Sequence, residues 1–153
     1  MLEAICSLCC QQMRPARFFT ASSLVMRLRR ARDAGSLDRE LAQLAKADIL
    51  GIDELGFLPL DTDGARLLFQ VISESYERQS LVITTNLEFA RWGAVFGDDQ
   101  MAAAVIDRIC HHGRLLKFSG ESWRMRHALI SGDSTPEGQL AQQSPCGAFR
   151  HRN

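Results

Sequence analysis

The sequence has no surplus of charge of either sign, because 18 Lys and Arg residues balance 18 Asp and Glu. That excludes a chain-wide electrostatic footprint for nucleic acid or an anionic membrane surface, though not a local basic patch. No apolar run approaches the roughly 20 residues a membrane-spanning helix needs, so no membrane association is expected. The opening ten residues are apolar, but no basic residue precedes them, so the pattern of a secretory signal is missing. Cysteine is sparse and irregular: Cys6, Cys9, Cys10, Cys110 and Cys146 make an odd number at no regular spacing. No disulfide framework is expected, and a reducing cytoplasm fits best. What is present is ordinary for a globular chain, with 46% hydrophobic and 24% charged residues. Its 153 residues suffice for one domain with a real core and fall short of two.

Apolar periodicity divides the chain into alternating strands and helices. Glu3 to Met13 reads as the last turns of a helix, and Arg17 to Thr20 as a short β-favouring run. Ser22 to Ala34 reads as a helix with Leu24, Val25 and Leu28 on one face and Arg27, Arg29, Arg30 and Arg32 on the other, closed by Gly35. Ser36 is placed to cap a second helix running to Ala47, with Leu37, Leu41 and Leu44 inward. The run from Asp48 to Asp53 has an apolar centre without polar alternation, as in a strand buried on both faces of a parallel sheet. Pro59 makes Phe57 to Leu60 a loop, and Asp61 or Thr62 caps a helix from Asp63 to Arg78. A strand over Leu81 to Thr85 follows, then helices near Glu88–Val95 and Asp99–His112. A last strand is expected at Leu115 to Phe118. Beyond about Ile130 the composition turns to Ser, Gly, Gln and Pro, so residues 131–153 read as a disordered tail. The class is α/β, a mostly parallel sheet with helices on both faces.

Three sites carry chemistry. Ile49-Leu50-Gly51-Ile52-Asp53-Glu54 delivers two adjacent carboxylates at the C-terminal end of a buried strand, where open α/β sheets place their ligands. Such a pair suits phosphoryl transfer: one carboxylate holds Mg²⁺ and its waters, and the other polarises the attacking water. A solvated Asp-Glu turn is the plain alternative. Leu81-Val82-Ile83-Thr84-Thr85-Asn86 is a second strand ending in neutral hydrogen-bonding groups, of which Asn86 can orient a lytic water; otherwise Thr85 and Asn86 cap the next helix. Asp107-Arg108, with Arg124 and Arg126 further on, offers guanidinium groups to a phosphate, or a helix-surface ion pair.

Their order is more specific than any one of them. Ile52 to Asp61 (IDELGFLPLD), Thr84-Thr85-Asn86-Leu87, Trp92 to Asp98 (WGAVFGD), Asp107-Arg108-Ile109 and Gly120-Glu121-Ser122-Trp123-Arg124 together resemble the IstB-type helper ATPases of insertion-sequence transposition. These are relatives of the DnaC helicase loaders within the AAA+ P-loop ATPases. The resemblance runs from about Arg17 to Arg126. It implies a three-layer AAA+ core, ATP and Mg²⁺ as cofactors, DNA and a transposase as partners, and a homo-oligomer in which subunits complete one another's sites. By the same resemblance Asp53 is the magnesium ligand, Glu54 the catalytic carboxylate and Asn86 the sensor of the γ-phosphate. Arg108 is the finger reaching a neighbouring subunit's nucleotide, and Arg124 a second sensor from the same subunit.

The family's first strand and its Gly-rich loop ending Gly-Lys-Ser/Thr have no match: the first glycine is Gly35 and the first lysine Lys46. The expectation is therefore an N-terminally truncated core, residues 1–130, with impaired nucleotide binding. Its missing strand would belong between those ending at Thr85 and Phe118, leaving unpaired edges. Other expectations stand beside this one. A helicase loader shares the core, and a remnant could donate Arg108 in trans without hydrolysing ATP. Cys6, Cys9 and Cys10 read as small buried cysteines on an apolar helix rather than zinc ligands. Arg27, Arg29 and Arg30 are the candidates for DNA-phosphate contact, against a solvated helix face as the alternative. His111-His112 is expected to meet the last carbonyls of its helix.

Overall fold

The computed structural model describes residues 2–118. The elements below belong to the compact unit Met1–Leu115. They are α1 (Leu2–Gln11), β1 (Ala16–Thr20), α2 (Ala21–Asp33), α3 (Leu37–Leu44), β2 (Ile49–Leu55), α4 (Thr62–Ser75), β3 (Ser80–Thr85), a 3₁₀ turn (Phe89–Arg91), α5 (Trp92–Phe96) and α6 (Asp99–His111). Arg124, the phrase around Gly120–Trp123 and the expected tail lie outside the described residues.

The three strands form one parallel sheet in the order β1-β2-β3. Ala16 to Thr20 run beside Ile49 to Asp53, and Ile49 to Ile52 beside Ser80 to Ile83. Parallel neighbours need crossover helices, which α2 with α3, and then α4, supply. Period-two geometry sends successive side chains of β2 to opposite faces. Leu50 and Ile52 are fully buried in a core shared with Leu24, Val25 and Leu28 of α2 and Leu67, Leu68, Val71 and Ile72 of α4. Gly51, on the other face, lies under α1: a Cβ there would stand 3.2 Å from Cys6 Sγ and from Leu2 Cδ1. A side chain at Gly51 would push α1 off the sheet, so glycine here sets a close helix–sheet approach. The result is three layers, with α1 on one face of the sheet and α2 and α4 on the other.

Several elements depart from the periodicity reading, each for a local reason. Ser36 does not cap α3 with its side chain; its hydroxyl donates instead to the Ala31 carbonyl at 3.1 Å. That helix stops at Leu44 rather than Ala47. Helix α4 stops at Ser75 rather than Arg78, because the chain turns through a left-handed Glu77 (φ 59°) to enter β3. The helix expected near Glu88–Val95 begins as a 3₁₀ turn and continues as α5. Among the described residues no strand forms at Leu115 to Phe118, and Leu115, Leu116 and Phe118 are exposed. Of the α1 cysteines only Cys6 is buried, while Cys9 is half-buried and Cys10 exposed, so the expectation of three buried thiols holds for one. Burial, with the adjacent thiols of Cys9 and Cys10, pushes the Cys6 thiol above its ordinary value. Among the described residues no group of three His, Cys, Asp or Glu side chains gathers as a metal site. Nor is any helix there long and apolar enough to cross a membrane.

Candidate functional site

The C-terminal ends of β2 and β3 do not pair regularly. Ile52 sits opposite Ile83 and Leu55 opposite Thr85, so Asp53 and Glu54 together face Thr84. One extra residue on β2 makes a β-bulge, which breaks the strand's alternation and re-aims a side chain. Glu54 completes it with φ 60°, a left-handed conformation that costs a non-glycine residue about 1–3 kcal/mol. Two neighbouring residues on a regular strand point to opposite faces, and the bulge lifts that constraint from Asp53 and Glu54.

Thr84 holds the bulge. Its hydroxyl donates to Asp53 Oδ1 and accepts the Glu54 backbone N–H at 3.1 Å. A single oxygen thus fixes the orientation of the Asp53 carboxylate and the position of the Glu54 backbone. Asp53 is half-buried and Glu54 exposed. The pair therefore combines a carboxylate oriented by the protein with one open to solvent. Sequence reasoning passed over Thr84 in favour of Asn86, although a polar side chain at the end of an apolar strand was the signal available. Asn86 is exposed at the exit of β3, where Thr85 Oγ1 accepts the Leu87 N–H at 3.1 Å and turns the chain. The plainer alternative, a cap on the next helix, is not what Thr85 supplies: the 3₁₀ turn that follows takes Glu88 as its N-cap, with no side-chain cap bond.

The loop from Gly56 to Asp61 is fastened at both ends. Gly56 has φ 96°, and a Cβ on it would stand 2.7 Å from Leu87 Cδ1, so only glycine lets β2 turn against the β3 exit. At the far end the Leu60 N–H donates to the Val95 carbonyl at 3.0 Å. Asp61 Oδ1 caps α4 by accepting the Gly64 N–H at 3.1 Å and also pairs with the Arg29 guanidinium. The Gly-Phe-Leu-Pro-Leu-Asp run is thus a tether joining the carboxylate pair to α2, α4 and α5. Phe57 and Leu58 between its anchors remain exposed.

Arg108 lies on α6. Its Nη1 donates to the Ala104 carbonyl at 2.9 Å, and its guanidinium carbon stands 5.0 Å from the centre of the Phe69 ring on α4. It does not join Asp53 and Glu54 within the chain. Arg27 pairs with Glu40 and lies over Phe19, Arg29 pairs with Asp61, and Arg32 approaches Asp33 and Asp63 at 3.5 and 3.4 Å. Much of the arginine face of α2 is therefore matched by carboxylates rather than simply solvated. Arg30 lines an open recess with Phe19, Ser23, Met26 and Arg27. The two histidines meet the turn that follows α4 instead of their own helix end: His111 Nδ1 is 2.7 Å from the Tyr76 hydroxyl, and His112 Nε2 is 3.4 Å from Glu77.

The fold is that of the AAA+ P-loop ATPases. AMPPCP-bound DnaA from Aquifex aeolicus superposes with a TM-score of 0.65 at 13% identity, covering 86% of this chain and 39% of that one. The DnaC helicase loader superposes with a TM-score of 0.56 at 22% identity, covering 69% and 62%. Within that class the chain belongs to the IstB-like ATP binding protein family, whose sequence model matches residues 3–131. It is 43% identical over 113 residues to the protein of Geobacillus stearothermophilus assigned as the ATP-binding protein of insertion sequence IS5376. It is 37% identical over 115 residues to the corresponding assignment for IS21 of Pseudomonas aeruginosa. These matches take in 74% and 75% of this chain but only 45% and 43% of the two relatives, so it spans less than half of their length.

Proposed function

We propose that this chain supplies the hydrolytic half of an ATP-dependent helper of DNA transposition, acting beside a transposase in a homo-oligomeric assembly. The observation that carries the reading is the Thr84 hydroxyl shared between Asp53 and Glu54 at a bulge. A bulged, left-handed glutamate is a local cost that a purely structural strand end has no reason to keep. The fit of magnesium-bound ATP rests on the donor set: a half-buried carboxylate, oriented by a hydroxyl, suits a hard cation and its waters. ATP with its metal supplies the electrophilic phosphorus and the charge neutralisation. Asp53 would hold the metal side, Glu54 would take a proton from the attacking water at its carboxylate, and Asn86 would orient that water. Arg108 would act on the nucleotide of a neighbouring copy, and Arg124 on its own. The 153 residues contain no Gly-x-x-x-x-Gly-Lys-Ser/Thr loop, so the chain alone is expected to bind ATP weakly. DNA contact is assigned to the recess with Arg30 at its rim, where Arg27 and Arg29 contribute only by exchanging their carboxylate partners for phosphate.

The test is ATP turnover in a protein that joins this chain to the family's phosphate-binding segment. Glu54→Gln is expected to abolish turnover while nucleotide binding persists. Undiminished turnover would remove Glu54 from the role of base and leave the bulge unexplained.

A further inference from the structure

Arg108 is not free at the surface: it is half-buried and supported from two directions. The Ala104 carbonyl, one turn back on α6, takes one of its N–H groups, and the Phe69 ring on α4 lies against the guanidinium carbon. A guanidinium carries five N–H donors, and a ring beneath its face consumes none of them. Four donors are therefore left while the plane of the group is held. Phe69 is itself packed against the core that anchors α4, so its ring is a fixed platform. Just past the end of α4 a second contact joins the two segments. Tyr76, seven residues on from Phe69, meets His111, three residues on from Arg108. Partial burial, Glu77 and Asp107 push the Tyr76 phenol above its ordinary value, with Arg108 opposing.

We infer that Phe69 is a positioning residue for Arg108, holding the guanidinium by cation–π contact with its remaining donors presented to a phosphate of a neighbouring chain. The inference rests on the reading of Arg108 as a group that acts in trans. A leucine at 69 would fill much of the same core volume without a π face, whereas tyrosine keeps the ring. The contact therefore predicts a dependence on aromaticity that packing alone does not.

The test uses two readouts. In the 153-residue chain, the Arg108 Nε–Hε resonance is expected to be ring-current shifted, to collapse to the ordinary arginine position in Phe69→Leu and to stay shifted in Phe69→Tyr. In the second, the chain is added to a full-length relative whose own finger arginine has been replaced by alanine, and ATP hydrolysis is followed. The wild-type chain is expected to raise turnover and Arg108→Ala to leave it unchanged. Phe69→Leu should lower the stimulated kcat about five-fold with KM for ATP unaltered, and Phe69→Tyr should restore it. An unshifted Arg108 resonance, or Phe69→Leu as effective as wild type, would overturn the role of Phe69 while leaving Arg108 in place. A wild-type chain that raises turnover no more than Arg108→Ala would overturn the trans reading itself.

Discussion

Replacing Thr84 by valine keeps the shape and the β-branching of the side chain and removes one oxygen. Two hydrogen bonds go with it, one donated to the Asp53 carboxylate and one accepted from the Glu54 N–H at 3.1 Å. A hydrogen bond to a charged group contributes about 1.5–3 kcal/mol and a neutral one about 1 kcal/mol when buried. Asp53 is only half-buried and Glu54 is exposed, so water replaces part of each interaction. We expect a net loss of about 1.5 kcal/mol, which for a chain of this size lowers Tm by roughly 3–6 °C. Thr84→Ser keeps the hydroxyl and should lose less than half as much. Thr85→Val removes only the bond from the Leu87 N–H and should cost below about 1 kcal/mol. Urea and thermal unfolding followed by circular dichroism measure all three. Thr84→Val within about 0.5 kcal/mol of wild type, the usual range of an inert surface change, would refute the claim that this oxygen holds the bulge.

Two further outcomes follow from the same geometry. Glu54→Gly should stabilise the fold by about 0.5–1 kcal/mol, because glycine accepts φ 60° without the steric cost, while removing the carboxylate from the site. An unfolding midpoint below that of Glu54→Ala would show that the conformation is not strained. The Cys6 thiol, held above its ordinary value of 9.0 by burial, favours the folded chain below pH 9.0, and that contribution is lost as pH rises through the folded-state value. The urea midpoint should therefore fall more steeply between pH 8 and pH 10 (about the ordinary thiol range) in wild type than in Cys6→Ala, and equal slopes would count against the burial of that thiol.

How much of this was legible before folding varies from residue to residue, and the reason is range. Unbroken apolar runs announced β2 and β3, of which β2 is buried through its centre, whereas the apolar residues of β3 are half-buried. Apolar residues at helical spacing announced α2 and α3, because each helix must bury one stripe. Adjacent Asp53 and Glu54 at a strand end are a local pattern, as is Asp61 before α4, and both stand where the chain order placed them. The expectation at Leu115 to Phe118 fared differently: an apolar run becomes a strand only when a neighbouring strand offers its backbone, and none does so among the described residues. His111 and His112 likewise turned to Tyr76 and Glu77, partners 35 residues away in the chain, rather than to their own helix end.

By itself, then, the sequence determined the alternation of elements, the two carboxylates and the family to which they belong, because these depend on neighbours in the chain. Tertiary structure alone decided which hydroxyl orients Asp53, why residue 51 must be glycine, that Arg27 and Arg29 of α2 meet Glu40 and Asp61 and that Arg108 rests on Phe69. Each of those contacts joins groups from different elements. A hydrogen bond or a ring contact depends on ångström-scale placement that spacing along a chain does not specify.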